Sequence, residues 1–220
     1  MNKAISYEAL NQFGIQLLEG HSSIALTTHD GLALKVKYQS LPEIGSLPVA
    51  AQTTQQYLKL EDGDIAITND PYSGGTELSS MNLVMAVSTE DSKDTNLLIV
   101  KKLPLKPKVY LGSNVEEEGV RVPPMPIYSG IRLSLPTIES ISQHPLSPPN
   151  FQAAITKAVD EMKILHSKFK KLDRIYDLDW SRSHLRSFLK DSQAMMQNFL
   201  TQIRSGDEIV ELELNDGSKM

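Results

Sequence analysis

The sequence predicts an α+β fold, a mixed and mainly antiparallel sheet with an N-terminal helix and a C-terminal helical hairpin. Apolar residues recur at helical spacing before Gly20 and again after Asn150. Between them, short alternating runs rich in β-branched residues are separated by turn residues. We therefore assign residues 1–149 to an α/β domain with a proline-rich arm (103–149). Residues 150–220 are predicted to be a helical hairpin and a short terminal strand packed on the same domain.

Composition excludes several classes of protein. The 220 residues are 40% hydrophobic, which suffices for one good-sized core or two small ones. The net charge of -5 comes from acidic and basic residues spread along the chain, so we expect no nucleic-acid partner. Cysteine is absent, which excludes disulfides and thiolate metal sites and fits a reducing compartment. Without an apolar run of secretory or membrane-spanning length, we expect a cytoplasmic protein with no membrane partner.

The first third of the chain predicts a helix, a hairpin and a second helix. Residues 6–19 have the apolar spacing of an amphipathic helix, and Gly20 follows as a stop. The strands 23–28 and 32–38 flank an Asp-Gly turn in which we expect His29 to be solvated. A loop with two prolines, Leu41–Pro48, then precedes a helix predicted from Val49 to Leu58.

Three further strands are predicted before the proline-rich arm. Ile65 and Ile67 alternate with small residues in the first, and residues 82–87 and 95–101 form a meander across a polar segment. The sheet should thus have at least five strands. Prolines concentrate from Pro104 to Pro149, which predicts an ordered connecting arm without long regular elements.

Two helices are predicted after the arm, at 150–172 and 180–203, where apolar residues recur at spacings of three and four. They form the helical hairpin across residues 173–179. Residues 208–214 alternate apolar and acidic side chains, which indicates a short terminal strand.

The candidate functional segment is residues 63–83, called the signature segment below. Its centre is dense in turn residues: Asp70 precedes Pro71, which holds the aspartate in an extended conformation. Gly74 and Gly75 allow the backbone to approach a ligand or another segment closely. A strand that ends in an Asx-type turn without any ligand explains the same residues.

Motifs for other chemistries are missing from the sequence. It contains neither of the glycine-rich phosphate-binding patterns, Gly-x-x-x-x-Gly-Lys and Gly-x-Gly-x-x-Gly. It also lacks the Gly-x-Ser-x-Gly elbow of a serine nucleophile. Five histidines lie at scattered positions, two of them on predicted helices, where a solvated or core-edge role is expected: His21, His29, His144, His166 and His184. We assign no catalytic residue.

The signature segment resembles that of the hydantoinase B family. The family includes B subunits of ATP-dependent N-methylhydantoinases, the matching half of 5-oxoprolinase and α-type subunits of acetone carboxylases. Three other segments agree in order: Ser23–Gly31, Leu41–Pro48 and Glu117–Pro124. The resemblance implies a short, divergent member that covers roughly the N-terminal half of the family, with the family's fold.

The departures from the family pattern concern its metal ligands. The resemblance implies a His-Leu-x-Asp pair where this chain has Glu77 and Ser80, and Glu43 replaces the histidine of the Leu-Gly-Ser loop. Residues 103–108 hold no His, Asp or Glu where a later ligand segment should fall. Serine is a poor substitute for a carboxylate, so we expect that the divalent metal used in the family is not retained and that no cofactor is bound.

Three functional hypotheses follow from the resemblance. The first is a non-catalytic binding or assembly partner of a hydantoinase A-like subunit, with a homo-oligomer also allowed. The second is a subunit of an ATP-dependent cyclic-amide hydrolase or of a related carboxylase. The third is a small-molecule binder that uses the cleft in which the family's site would lie. The expected substrate-binding or vestigial site consists of seven residues: Asn69, Asp70, Gly74, Gly75, Thr76, Glu77 and Arg121.

Overall fold

The protein consists of an antiparallel sheet with helices packed on both of its faces. The computed structural model describes residues 7–89, 92–105 and 118–203, with only the backbone of 92–96. Seven strands pair in the order β2-β1-β5-β4-β3-β6-β7. Their bounds are β1 Ile24–Thr28, β2 Ala33–Lys37, β3 Ile65–Thr68, β4 Ser80–Thr89, β5 Ser92–Pro104, β6 Met125–Ser129 and β7 Arg132–Leu133.

The described residues also form five α-helices and one short 3₁₀ turn, so the predicted α+β class is confirmed. The helices are α1 Tyr7–Leu17, α2 Glu43–Leu58, α3 Leu135–Ser142, α4 Phe151–Tyr176 and α5 Arg182–Gln202, and the 3₁₀ turn is Pro71–Ser73. Within the described part of the chain, none of the helices has the length and apolar character that a membrane crossing needs.

The two faces of the sheet belong to two separate apolar clusters. On β4, Leu83 and Met85 point into the larger cluster, which includes residues of α1, α3, α4 and the start of α5. Val84 and Ala86, which alternate with them, point into the smaller cluster beneath α2. Because side chains alternate along a strand, each central strand contributes to both clusters. The sheet is therefore a middle layer that fixes α2 on one face and α4 on the other.

The predicted hairpin and meander are both confirmed. β1 and β2 pair antiparallel across a turn whose Gly31 has a φ of 82°, a conformation that glycine adopts without strain. His29 in this turn is partly exposed, with 33% of its side chain accessible, near the solvated position expected. β4 and β5 extend beyond the predicted ends of their strands, and Ser80 pairs with Pro104 at the end of the ladder.

The predicted loop Leu41–Pro48 is wrong for most of its length, because α2 begins at Glu43 and continues through Pro48. Proline inside a helix costs about 3 kcal/mol. Here, the first turns of α2 bury Leu47 fully, and the next turn buries Ala50 and Ala51. Packing against the sheet offsets the cost of the proline, a tertiary effect that local turn signals do not reveal.

Part of the predicted proline-rich arm is regular structure. β6 is an inner strand between β3 and β7, although it contains Pro126. The ladder tolerates this proline because the register shifts beside it, between Ile65 and Ala66 of β3. Pro136 lies in the first turn of α3, where its missing N–H is not needed.

Both predicted C-terminal helices are confirmed, as α4 and α5. Phe13 of α1 packs edge-on against Phe169 of α4 and Trp180, with ring centroids 5.5 and 5.1 Å apart. The Trp180 indole N–H donates to Asp173 at 2.6 Å. The predicted strand at 208–214 and residues 106–117 of the predicted arm lie outside the described residues, and the division into domains stays a prediction.

A polar cluster around Asp62 ties α4 to the turn that leads into β3. The Asp62 carboxylate accepts the Ser88 N–H at 2.7 Å and contacts His166 and Lys170 of α4, each at 3.0 Å. Burial raises the pKa of Asp62, but these three partners outweigh burial and lower the pKa from 3.8 to about 2.

Replacing Asp62 by asparagine should therefore flatten the acid dependence of stability. A carboxylate whose pKa is lowered by folding stabilises the protein above pH 3.8, and this contribution disappears as the pH falls towards 2. Urea unfolding of wild type and Asp62→Asn between pH 5 and pH 2 measures the difference. Equal slopes of unfolding free energy against pH in the two proteins would show that Asp62 is not coupled to folding.

Candidate functional site

Asp70 caps the 3₁₀ turn at the centre of the signature segment. One carboxylate oxygen accepts the Tyr72 N–H at 3.2 Å, and the other accepts the Ser73 hydroxyl at 3.4 Å. The Arg121 guanidinium lies 3.7 Å away, and its carbon is 5.7 Å from the centre of the exposed Tyr72 ring. Asp70 thus forms the Asx-type turn that the sequence left as an alternative to a ligand site.

Asn69 connects the signature segment to the segment around Val122. Its side-chain amide donates to the Val120 carbonyl at 2.9 Å and to the Leu78 carbonyl at 3.3 Å. Its side-chain oxygen accepts the Val122 N–H at 2.7 Å. The residue is only 1% exposed, and both polar atoms of its side chain are engaged within the protein. Asn69 is a structural connection between two of the segments that carry the family resemblance.

The two glycines of the signature segment serve close packing of the backbone. A Cβ on Gly74 would lie 2.3 Å from the Ala50 nitrogen of α2, and Gly74 has a φ of 86°. A Cβ on Gly75 would lie 2.0 Å from the Asn69 carbonyl oxygen. Of the two possibilities that the sequence left open, close approach to another segment is therefore the one that the structure supports.

Thr76 and Glu77 line a cleft of about 350 Å³ at the edge of α2, called the Lys102 cleft below. Its other polar lining residues include Ser23, Gln39, Glu43 and Lys102. The five remaining predicted site residues do not line it. The structure therefore separates the predicted site into a structural turn and a cleft.

The Lys102 ammonium lies at the centre of a charged cluster in this cleft. It is 2.8 Å from the Glu77 carboxylate, 3.3 Å from the Glu43 carboxylate and 3.1 Å from the Thr76 hydroxyl oxygen. An ammonium has three protons to donate, so these three acceptors use all of them. We call Lys102, Glu43, Thr76 and Glu77 the Lys102 cluster.

Both carboxylates of the Lys102 cluster have lowered pKa values. Burial raises the pKa of Glu43, but hydrogen bonds from the Gln39 N–H, the Ser23 hydroxyl and Lys102 outweigh it. For Glu77, the hydrogen bond from Lys102 is the largest influence on the pKa and lowers it against a smaller effect of burial. Both groups are therefore ionised at neutral pH, and the cleft contains two negative charges and one positive charge.

Sequence reasoning placed Glu77 at the site but missed Lys102. The alternation of side chains along β5 could have indicated Lys102. Lys102 lies on the same face as Val100, towards α2, and Lys101 lies on the same face as Ile99, towards α4. Lys101 accordingly contacts Glu161 of α4, while Lys102 contacts Glu43 of α2. Two adjacent lysines thus connect the sheet to both helical layers.

The arrangement does not fit a divalent metal at the positions that the family resemblance implies. An ammonium, not an open space, lies between the carboxylates of Glu43 and Glu77. Ser80 is buried, and its hydroxyl contacts the Glu77 carbonyl at 3.5 Å. In the described ranges, no three His, Cys, Asp or Glu side chains are grouped to hold a metal ion.

Comparison with known proteins identifies the fold and the family resemblance. Residues 19–101 match the family model for hydantoinase B/oxoprolinase. This range contains the signature segment and three of the four residues of the Lys102 cluster, all except Lys102 itself. Over residues 19–101 the chain resembles hydantoinase B/oxoprolinase. The resemblance inferred from the sequence is therefore confirmed. A search of curated proteins found no match.

Two solved structures share the fold of this chain. The crystal structure of an ATP-dependent caprolactamase from Pseudomonas jessenii matches with a TM-score of 0.73 at 18% identity, over 96% of this chain and 41% of that chain. Nucleotide-free acetone carboxylase matches with a TM-score of 0.50 at 11% identity, over 76% of this chain and 24% of that chain. The chain therefore spans less than half the length of either structure.

Proposed function

We propose that this hydantoinase B-like chain is a non-catalytic subunit, the binding or assembly partner of a hydantoinase A-like subunit. The observation that carries the proposal is the Lys102 ammonium between the carboxylates of Glu43 and Glu77. A lysine side chain occupies the space between two residues that stand at positions of the family's metal site. The lack of cysteine is compatible with a cytoplasmic location.

The chemistry of the Lys102 cluster supports a structural role. A metal ion activates water by lowering its pKa and polarises a substrate oxygen. The ammonium of Lys102 donates its three hydrogen bonds within the cluster, so it has none left for a substrate oxygen. Glu43 is equally engaged, because its second oxygen accepts the Gln39 N–H at 2.9 Å. The cluster holds α2 and the signature segment together instead of presenting reactive groups.

Reconstitution with a hydantoinase A-like subunit from the same genome tests the proposal. The full chain and that subunit should co-elute in size-exclusion chromatography when co-expressed. The pair should show no ATP-dependent turnover of hydantoin, 5-oxoproline or caprolactam beyond that of the A-like subunit alone. Failure to co-elute would contradict the partner role, and turnover that requires this chain would contradict the non-catalytic role.

The alternative is a subunit of an ATP-dependent cyclic-amide hydrolase or of a related carboxylase. The fold match to an ATP-dependent caprolactamase over nearly the whole chain favours it. The same reconstitution separates the two functions. Ring opening coupled to ATP hydrolysis, and abolished by Glu77→Ala in a pair that still co-elutes, would decide for the enzyme.

A further inference from the structure

A second, smaller cleft lies between the β1–β2 turn and the first two turns of α5. Its volume is about 140 Å³, and it shares no lining residue with the Lys102 cleft. Residues 28–30 and Leu32 line it from the hairpin, and residues of the first two turns of α5 line it from the helix. No part of the proposed function uses this cleft.

Two arginines of α5 line this cleft. Arg182 and Arg186 are four residues apart, so they lie on one face of the helix. Neither makes a hydrogen bond or an ion pair with any residue in the described ranges. By contrast, Lys101, Lys102 and Lys170 each contact a carboxylate. Two neighbouring guanidinium groups without an anion favour the binding of one from solution.

The carboxylate that lines the cleft is held by the hairpin turn. Asp30 accepts a short hydrogen bond from the Thr28 hydroxyl and lies 3.9 Å from the His29 ring nitrogen. It therefore faces its own turn and does not pair with the arginines. Two arginines and one aspartate leave the cleft with an excess of positive charge, although the whole chain is acidic.

The rest of the lining is aliphatic. Leu185 is buried at the base of α5, and Leu32 and Leu189 are partly exposed beside it. We propose that this cleft binds a small aliphatic carboxylate. Its carboxylate lies against the guanidinium groups of Arg182 and Arg186, and its hydrocarbon body packs on the three leucines. A planar carboxylate matches the paired N–H donors of a guanidinium.

Size and exposure set the expected strength of binding. The small volume admits a ligand of a few carbon atoms, and both arginines are exposed to solvent, which weakens their attraction for an anion. We therefore expect a millimolar dissociation constant for butyrate. Acetate and inorganic phosphate lack the hydrocarbon body that packs on the leucines, so both should bind more weakly.

Calorimetric titration of the full chain with sodium butyrate at constant ionic strength tests the proposal. Replacing both arginines by glutamine, Arg182→Gln and Arg186→Gln, should weaken butyrate binding about tenfold or more. Lys190→Gln is the matched control, since Lys190 is exposed on the same helix but does not line the cleft. Thermal unfolding of each variant checks that the fold is retained.

Three results would overturn the proposal. They are the absence of saturable butyrate binding to the wild type, equal butyrate affinity in wild type and double variant, and tighter binding of phosphate than of butyrate. Selective binding of butyrate that is lost in the double variant and kept in Lys190→Gln would establish the site. None of these results depends on whether the chain assembles with a hydantoinase A-like subunit.

Discussion

Lys102→Met should lower the free energy of unfolding by about 3 kcal/mol, because it leaves a buried carboxylate without its counter-ion. The Glu43 side chain is only 4% exposed, and Lys102 is 11% exposed. Breaking a buried pair costs about 3–5 kcal/mol, and the lower value applies here because the Gln39 N–H still donates to Glu43. Chemical unfolding at pH 7, followed by circular dichroism, measures the loss.

Lys101→Met is the matched control for this substitution. Lys101 precedes Lys102 on the same strand and contacts Glu161, whose side chain is 37% exposed and remains hydrated when the lysine is lost. Its replacement should cost no more than about 1 kcal/mol. Adding Glu43→Gln to Lys102→Met should recover part of the stability, since the uncompensated charge is removed. Equal small losses at both lysines, without recovery in the double variant, would contradict the role given to Lys102.

Gly75→Ala should strongly destabilise the protein, because the added methyl group has no room beside the backbone of Asn69. Its Cβ would lie 2.0 Å from the Asn69 carbonyl oxygen and 2.4 Å from the Asn69 carbonyl carbon, both backbone atoms. Relief requires movement of the turn that Asn69 and Asp70 hold in place. We expect a loss of about 3 kcal/mol or more in unfolding free energy, at the upper end of overpacking effects.

Gly45→Ala is the control, because Gly45 lies inside α2, the helix that the signature segment approaches at Gly74. A Cβ on Gly45 meets no atom within 4 Å other than those of its own helical turn. Alanine should stabilise this position by about 0.5–1 kcal/mol, because glycine is unfavourable inside a helix. Denaturant unfolding of both variants measures the contrast. A Gly75→Ala protein as stable as wild type would show that the signature turn is looser than its contacts indicate.

Strong local patterns predicted much of the fold. The Asp-Gly turn with β-type runs on both sides specified the β1–β2 hairpin, and the apolar spacing after Asn150 specified α4. The sequence did not reveal that α2 continues through Pro48. The contacts that offset the cost of this proline come from the face of the sheet that packs against α2. A tertiary effect that only the assembled fold supplies outweighs the local proline signals.

The candidate site was predicted in part. Glu77 was identified through its place in the signature segment, but Lys102 lies 25 residues later and reaches Glu77 only through the pairing of β4 with β5. Asn82 pairs with Lys102 in that ladder, which brings the lysine beside the end of the signature segment. Register of this kind depends on the whole sheet, so the sequence could not place an ammonium between Glu43 and Glu77.

The metal content of the purified full chain tests most directly whether Lys102 replaces a metal ion. After incubation with manganese or zinc and desalting, inductively coupled plasma mass spectrometry should find far less than one metal ion per chain. Glu77→Ala should leave that value unchanged. Nearly one manganese or zinc ion per wild-type chain, lost on Glu77→Ala, would show that the cleft holds a metal and would contradict the account.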